Sequence, residues 1–102
     1  MAWIVLLLAG LLEVAFAFAL KQSAGFSKPI PSVLAVAGVA ASLALLGVAL
    51  KSLPLATAYA VWTGIGTVGT VLVGFAIGET VTALKLASIA LIVAGIVGLK
   101  LA

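Results

Sequence analysis

Four long apolar stretches divide this sequence and leave almost no polar surface for a water-soluble fold. They cover approximately residues 3–20, 33–50, 55–77 and 84–99, and short segments containing lysine, proline or glycine separate them. A transmembrane helix needs about 20 predominantly apolar residues. Three spans would leave a large apolar remainder in loops, and five would leave almost no residues for loops. The sequence therefore predicts a single domain of four transmembrane helices.

The composition supports an all-α membrane protein. Only 7% of the residues are charged, whereas a soluble domain contains about 25%. The sequence has no cysteine and no histidine, so we expect no disulfide, no zinc site, no imidazole base, and neither a metal nor a cofactor. The net charge of +3 comes from lysines that are scattered singly. Scattered lysines favour contact with lipid headgroups and argue against nucleic acid as a partner.

Helix-ending residues mark the turns between the predicted spans. Gly25 and two prolines lie in the longest connection, residues 21–32, where we expect the helices to be interrupted. Residues 52–54 and 78–80 form two very short connections. Short connections predict that sequential helices are antiparallel neighbours in a compact bundle.

The predicted topology distributes the lysines almost evenly between the two sides of the membrane. Lys21, Lys28 and Lys85 fall on one side, and Lys51 and Lys100 fall on the other with the amino terminus. Orientation follows the excess of Lys and Arg on cytoplasmic loops, and three against two is almost no excess. Two interpretations remain open: a small protein with a weak topology signal, or a chain that inserts both ways and pairs as an antiparallel dimer.

One acid lies in the middle of the first span. Glu13 has no basic residue three or four positions away in either direction. An acid at the bilayer centre costs about 2.5–3.5 kcal/mol on insertion scales, and such residues typically mark ion or proton pathways. The alternative is a protonated carboxyl that donates a hydrogen bond between helices. Glu13 also interrupts the first apolar stretch, and no basic residue precedes that stretch, so we expect no cleaved signal peptide.

Two copies of Glu13 could share one site in a dimer. A second carboxylate nearby disfavours ionisation of the first, so the two titrate as a coupled pair. Such a pair can bind protons or a cation, but protonation removes the negative charge that attracts the cation. This competition is the minimum requirement for proton-coupled cation antiport. Glu79 lies beside Gly78 in the third turn and is interpreted as a solvated acid at the membrane interface.

The third span carries an aromatic and polar face. Tyr59, Trp62, Thr63 and Gly66 share this face because they lie at i, i+3, i+4 and i+7. Aromatic ring faces attract cations, and Tyr and Trp can donate hydrogen bonds to a carboxylate. The alternative is an interfacial aromatic belt, which suits Tyr59 better than Trp62. Ser42, the only hydroxyl in the second span, either bonds to its own helix or helps to orient the acid of the first span.

Small residues recur on the third and fourth spans. Gly64, Gly66 and Gly69 match G-x-G-x-x-G, but no strand precedes them, so they do not indicate a dinucleotide site. They predict close packing and flexing of a membrane helix. The fourth span has a small-xxx-small pattern at Ala90, Ala94 and Gly98. That pattern predicts a dimer face or, alternatively, ordinary packing within one chain.

Taken together, these residues resemble the small multidrug resistance family of transporters. The matching pieces, in order, are Glu13, the loop from Gly25-Phe26-Ser27 to Pro31-Ser32, and the motif Ala58-Tyr59-Ala60-Val61-Trp62. The resemblance covers essentially the whole chain. Gly10, one turn before the acid, and the stretch 62–66 resemble the guanidinium-exporter branch more than the quaternary-ammonium branch.

The resemblance implies an antiparallel, dual-topology homodimer in the bacterial inner membrane that exchanges protons for guanidinium or small substituted guanidinium cations by alternating access. The fourth helices would hold the dimer, and the first three would line the site. Glu13 would bind substrate and protons, and Tyr59, Trp62 and Ser42 would position its carboxylate. The remaining residues implied to line the site are Gly10, Phe16 and Thr63. The protein would be a secondary transporter rather than an enzyme.

Phe16 departs from the guanidinium exporters, which typically have Trp at this position, one turn beyond the acid. Phe keeps the ring but lacks the indole donor. Guanidinium remains the predicted cation because its planar fork matches carboxylate geometry. The first alternative is a quaternary-ammonium exporter of the same family. A rotor-type proton carrier is disfavoured because such carriers are two-helix hairpins, and a structural subunit is disfavoured by the buried acid.

Overall fold

The structure, a computed structural model, describes residues 1–102 and contains four helices and no strand. α1 covers Ala2–Gln22, α2 covers Pro29–Ala49, α3 covers Leu55–Ala76 and α4 covers Ala83–Leu101. Each helix is long and apolar enough to cross a membrane. The prediction of an all-α protein with four membrane-spanning helices is therefore confirmed.

The helices form a thin slab with extents of 42 × 35 × 17 Å. α1 packs against both α2 and α3, whereas the backbone of α4 lies beside α3 alone. No residue of α4 is buried. A slab this thin has little interior, so most of its large apolar side chains are exposed.

The buried core lies at one end of the slab, towards the start of α1 and the end of α2. Its members are Leu6, Ala9, Leu46, Ala49, Ala58, Val61 and Trp62. The ring of Trp3 packs against this core, and Lys100 Nζ of α4 lies 5.6 Å from the ring centroid. We call this half of the molecule the closed end. The other half, from Glu13 to the end of α1 and from Gly66 to Glu79, is called the open end.

The loop between α1 and α2 is a tight left-handed turn. Ala24, Gly25 and Phe26 have φ angles of 49°, 74° and 66°, a region that is costly for residues other than glycine. The buried Ser23 stabilises the turn because its hydroxyl donates to the Leu20 carbonyl at 2.6 Å and accepts from the Phe26 amide at 3.1 Å.

The second helix begins earlier than the sequence indicated. α2 starts at Pro29 rather than near residue 33, and both prolines of the connection lie within its first turn. Proline is favoured at the first helical positions because it lacks an N–H that would be unsatisfied there. The prediction that these prolines interrupt the helices is wrong; they begin α2.

A Schellman motif ends α3 and positions Glu79. Gly78 has a φ of 104°, its amide donates to the Phe75 carbonyl at 3.2 Å, and the Glu79 amide donates to the Gly74 carbonyl at 2.9 Å. Glycine is required at position 78 because this backbone conformation is strained for other residues. Thr82 then caps the start of α4, because its hydroxyl accepts a hydrogen bond from the Lys85 amide.

Candidate functional site

The side chain of Glu13 projects from α1 towards α3 and is half-buried. It rests on Gly66, which is buried, and a methyl group at position 66 would collide with the Glu13 carboxylate. Gly66 therefore makes the room that the acid occupies. This close approach is the structural reason for glycine at that position.

An open cleft of about 320 Å³ lies beside the carboxylate. Besides Glu13 it is lined by Phe16, Ala17, Gly66, Thr67, Thr70 and Val71, and we call it the Glu13 cleft. Within the chain the Glu13 carboxylate accepts no hydrogen bond, and the single ion pair of the structure lies elsewhere. Both carboxylate oxygens are therefore available to a proton or a cation.

Glycines also bring α1 and α3 together on either side of Glu13. At Gly10 a methyl group would lie 2.5 Å from Ile65 Cγ2, and at Gly69 it would collide with Val14. At each of these two positions only one of the two helices contributes a side chain to the contact, so the backbones of α1 and α3 approach closely. Gly10 thus contacts α3 and lies outside the Glu13 cleft.

Gly64 faces a different helix. A methyl group there would lie 2.8 Å from Ile96 Cδ1, so Gly64 supports the packing of α4 on α3. The three glycines of the third span therefore serve two interfaces, with Gly66 and Gly69 facing α1 and Gly64 facing α4.

Ser42 and Trp62 form a buried hydrogen-bonded chain across three helices. Trp62 Nε1 donates to Ser42 Oγ at 2.9 Å, and Ser42 Oγ donates to the Ala9 carbonyl at 2.7 Å. In an α-helix the Ala9 carbonyl also accepts the backbone N–H of Glu13, four residues later. Ser42 thus bonds neither to its own helix nor to the Glu13 carboxylate. The chain ties α2 and α3 to the backbone of α1 one turn before the acid.

Tyr59 and Thr63 lie on α3 at the surface of the slab. The centroid of the Tyr59 ring lies 5.7 Å from that of the Trp62 ring at an interplanar angle of 47°, and the residue is 56% exposed. Thr63 is exposed, and its carbonyl accepts the Thr67 hydroxyl at 2.8 Å. The structure brings neither Tyr59 nor Thr63 into hydrogen bonding with Glu13.

Phe16 lies between two openings. It lines the Glu13 cleft, and it also lines an apolar groove between α1 and α2 that contains Leu34 and Gly38. A methyl group at Gly38 would lie 2.6 Å from Phe16 Cβ, so α2 approaches α1 closely at this point. The phenyl ring is therefore a wall of the cleft.

Four cleft residues were not predicted from the sequence, and two of them, Thr67 and Thr70, are polar. Thr67 and Thr70 line the Glu13 cleft but lie beyond the aromatic face that was singled out on the third span. Extending that face by one turn, from Gly66 to the residue at i+4, would have included Thr70. The small-residue pattern of Ala90, Ala94 and Gly98 lies on the exposed surface of α4, away from the isoleucines that contact α3.

Comparison with known proteins places this arrangement in a family. The sequence profile described as Small Multidrug Resistance protein matches residues 1–92. A guanidinium exporter of Yersinia pseudotuberculosis serotype I is 55% identical over 103 residues, covering 100% of this chain and 99% of that protein. Guanidinium exporters of Escherichia coli strain K12 and Salmonella typhimurium are 56% and 52% identical over 102 residues, covering 99% of this chain and 97% of each relative.

These likenesses extend over all four apolar helices and not over a single motif. The relatives are bacterial proteins named as exporters. The protein is accordingly a multi-pass protein of the bacterial inner membrane, as the sequence predicted, and its relatives are transporters rather than enzymes. From the profile match and the identity along the whole chain it follows that this chain belongs to the small multidrug resistance family.

Proposed function

We propose that the protein is a proton-coupled antiporter that exports guanidinium and small substituted guanidinium cations, with protons and cation competing for Glu13. The observation that carries this proposal is an unpaired carboxylate at bilayer depth, half-buried in an open cleft between α1 and α3. An intramembrane acid is costly unless a proton or a cation compensates its charge. Relatives at least 52% identical, named guanidinium exporters, support the choice of cation.

The local chemistry suits a small planar cation. A guanidinium presents parallel N–H donors that match two carboxylate oxygens, and both oxygens of Glu13 are free of protein partners. The Phe16 ring lines the same cleft, and an aromatic face attracts cations. Protonation of the carboxylate removes the charge that holds the cation, so binding a proton from one side favours release of the cation there.

A second copy of the chain would complete the site. The slab is only 17 Å thick in its shortest dimension, and α4 buries none of its residues. The small-residue surface of Ala90, Ala94 and Gly98 is suited to close packing against another helix. We infer that the fourth helices join an antiparallel homodimer in which the two Glu13 carboxylates share one site. The nearly even division of the lysines supports insertion in both orientations.

Ser42, Trp62 and Tyr59 would position the acid indirectly. The hydrogen bonds from Trp62 to Ser42 and from Ser42 to the Ala9 carbonyl end in the turn that precedes Glu13. Tyr59 takes part only by packing its ring against Trp62. Holding that carbonyl fixes the rotation of α1 and therefore the direction of the Glu13 side chain. Alternating access would then proceed by flexing of α3 at its glycines while the hydrogen bond from Ser42 to the Ala9 carbonyl persists.

The proposed function can be tested by measuring exchange of protons for guanidinium in liposomes that contain the purified protein. In the presence of a proton gradient, we expect wild-type protein to exchange protons for guanidinium and alkyl guanidinium, and Glu13→Gln to lose this exchange. Lys28→Gln, a neutralised charge at the membrane surface, is the matched control and should retain it. Full activity of Glu13→Gln would refute the mechanism. If only bulky quaternary ammonium cations move protons, the protein is a quaternary-ammonium exporter instead.

Labelling of a single cysteine tests dual topology. The chain contains no cysteine, and Gln22, at the end of α1, is exposed, whereas the neighbouring Ser23 is buried. A membrane-impermeant thiol reagent should label Gln22→Cys from both sides of the membrane in about equal amounts. Labelling from one side alone would exclude the antiparallel homodimer.

A further inference from the structure

A stripe of small and polar side chains continues from Glu13 along the contact between α1 and α3 to the membrane surface. Its members are Glu13, Ala17 and Lys21 on α1 and Gly66, Thr70 and Gly74 on α3. Four-residue spacing keeps each set on one face of its helix. The helical rise separates Glu13 from Lys21 by about 12 Å along the axis. We call this stripe the α1–α3 seam.

An ion pair closes the outer end of the seam. Lys21 Nζ lies 3.5 Å from Glu79 Oε2, and this is the only ion pair in the structure. The Schellman motif folds Glu79 back over α3, so that a methyl group at Gly74 would lie 2.7 Å from Glu79 Oε1. The backbone thus directs this carboxylate towards α1.

A small cavity lies directly behind the ion pair. Its volume is about 50 Å³. Lys21, Glu79 and Thr70 supply the polar part of its wall, and apolar side chains supply most of the rest: Val14, Ala17, Phe18, Val73 and Ile77. A cavity needs roughly 10–15 Å³ and several polar partners to hold a water molecule. The cavity behind Lys21 and Glu79 meets both requirements. Its volume is much smaller than that of the Glu13 cleft.

Thr70 connects this cavity to the Glu13 cleft. Both spaces are lined by Thr70 and Ala17. The Thr67 hydroxyl donates to the carbonyl of its own helix four residues earlier, which is usual for Thr in a membrane helix. Thr70 is exposed, and its hydroxyl makes no hydrogen bond within the chain. A polar group without a partner therefore lies where the two spaces meet.

We propose that the Lys21–Glu79 ion pair closes a hydrated route between Glu13 and the membrane surface, with Thr70 at its midpoint, and separates when the seam opens. The proposal rests on alternating access to Glu13. Both charged groups are exposed, Lys21 by 68% and Glu79 by 52%, so the pair is weak and easily broken. In an antiparallel dimer the two copies would place one such pair at each surface.

The neighbouring lysine takes no part in this contact. Lys85 lies on the same side of the membrane, but its ammonium donates to the Thr80 carbonyl at 2.8 Å within its own connection. Lys85→Gln therefore removes the same charge from the same surface without breaking the ion pair, and it is the matched control.

Cysteine reactivity tests the proposal directly because the chain has no native cysteine. Val73→Cys, behind the ion pair, is the reporter, and Val71→Cys, in the Glu13 cleft but outside the small cavity, is the comparator. We expect Lys21→Gln and Glu79→Gln each to accelerate modification of Val73→Cys by a water-soluble thiol reagent about two- to five-fold, as for an exposed ion pair. The charge-reversed pair Lys21→Glu with Glu79→Lys should return the rate towards the original value.

Unchanged rates in both single variants would overturn the proposal, as would equal acceleration in Lys85→Gln or equal acceleration of Val71→Cys. The measurement needs no substrate and no proton gradient. It therefore separates failure of the closing contact from failure of the transport function, which the Glu13→Gln liposome assay tests by itself.

Discussion

The two ends of the α1–α3 contact differ although both helices are apolar throughout. At the closed end, Leu6 and Ala9 of α1 meet Ala58, Val61 and Trp62 of α3 in the buried core. Ser42 donates a hydrogen bond to the Ala9 carbonyl there and accepts one from Trp62. At the open end apolar side chains such as Val14 and Val73 alternate with small and polar ones, and the only direct polar contact is an exposed ion pair.

This difference predicts which part of the molecule moves. Breaking the closed end loses close packing between apolar side chains and leaves buried polar groups unpaired, which is costly in a membrane. Opening the other end separates two exposed charges and disrupts the packing of a few apolar side chains such as Val14 against Gly69, but it leaves no buried hydrogen bond broken. Glu13 lies at the boundary, so its access to the surface can change while the closed end holds its backbone.

Among the packing contacts that differ between the two ends, the largest expected effect on transport comes from filling the space beneath the acid. In Gly66→Ala the added methyl group collides with the Glu13 carboxylate, which must turn away. Because the colliding group ends a flexible side chain, the protein should still fold while guanidinium exchange in liposomes falls about ten-fold, the factor that accompanies roughly 1.4 kcal/mol of lost binding. Gly95→Ala, where nothing lies within 4 Å of the methyl group, is the control. Equal transport by the two variants would contradict this role of Gly66.

A second effect, on stability and not on transport, should appear at the closed end. Ser42→Ala leaves Trp62 Nε1 buried without an acceptor, which costs about 1–3 kcal/mol. Thermal unfolding in detergent should show a lower midpoint, and adding Trp62→Phe should cost less than the sum of the single changes because the two residues share one hydrogen bond. Ser88→Ala, an exposed hydroxyl bonded to its own helix, should leave the midpoint nearly unchanged. Strict additivity would mean that the Ser42–Trp62 bond does not stabilise this end.

The smallest effect concerns the contact of α4 with the closed end. Lys100→Gln removes the cation from the Trp3 ring and should cost about 0.5–1 kcal/mol, as for an exposed cation–π contact. Lys51→Gln, in a connection on the same side, is the control. The same detergent unfolding assay would show the difference. A shift as large as that of Ser42→Ala would mean that Lys100 does more than contact the ring.

The four helices and the importance of Glu13 could be predicted from the sequence. The length of an apolar stretch and the presence of a lone charge within it can both be read from a single segment of the chain. From the sequence, Ser42 could bond to its own helix or help to orient the acid. In the structure its hydroxyl instead donates a hydrogen bond to the Ala9 carbonyl of α1. The prolines after Lys28 were interpreted as helix breakers, but they begin α2, because proline is compatible with a first turn as well as with a loop.

Sequence by itself determined that this chain crosses a membrane four times and that Glu13 lies among apolar residues without a charged neighbour on its own helix. Only the tertiary structure decided that Gly66 lies beneath the carboxylate, that Ser42 and Trp62 hold the turn before it, and that Lys21 meets Glu79. The physical reason is that hydropathy accumulates along one segment, whereas these contacts depend on the rotation and register of one helix against another. Several registers are compatible with the same apolar pattern, and close packing at the glycines selects one.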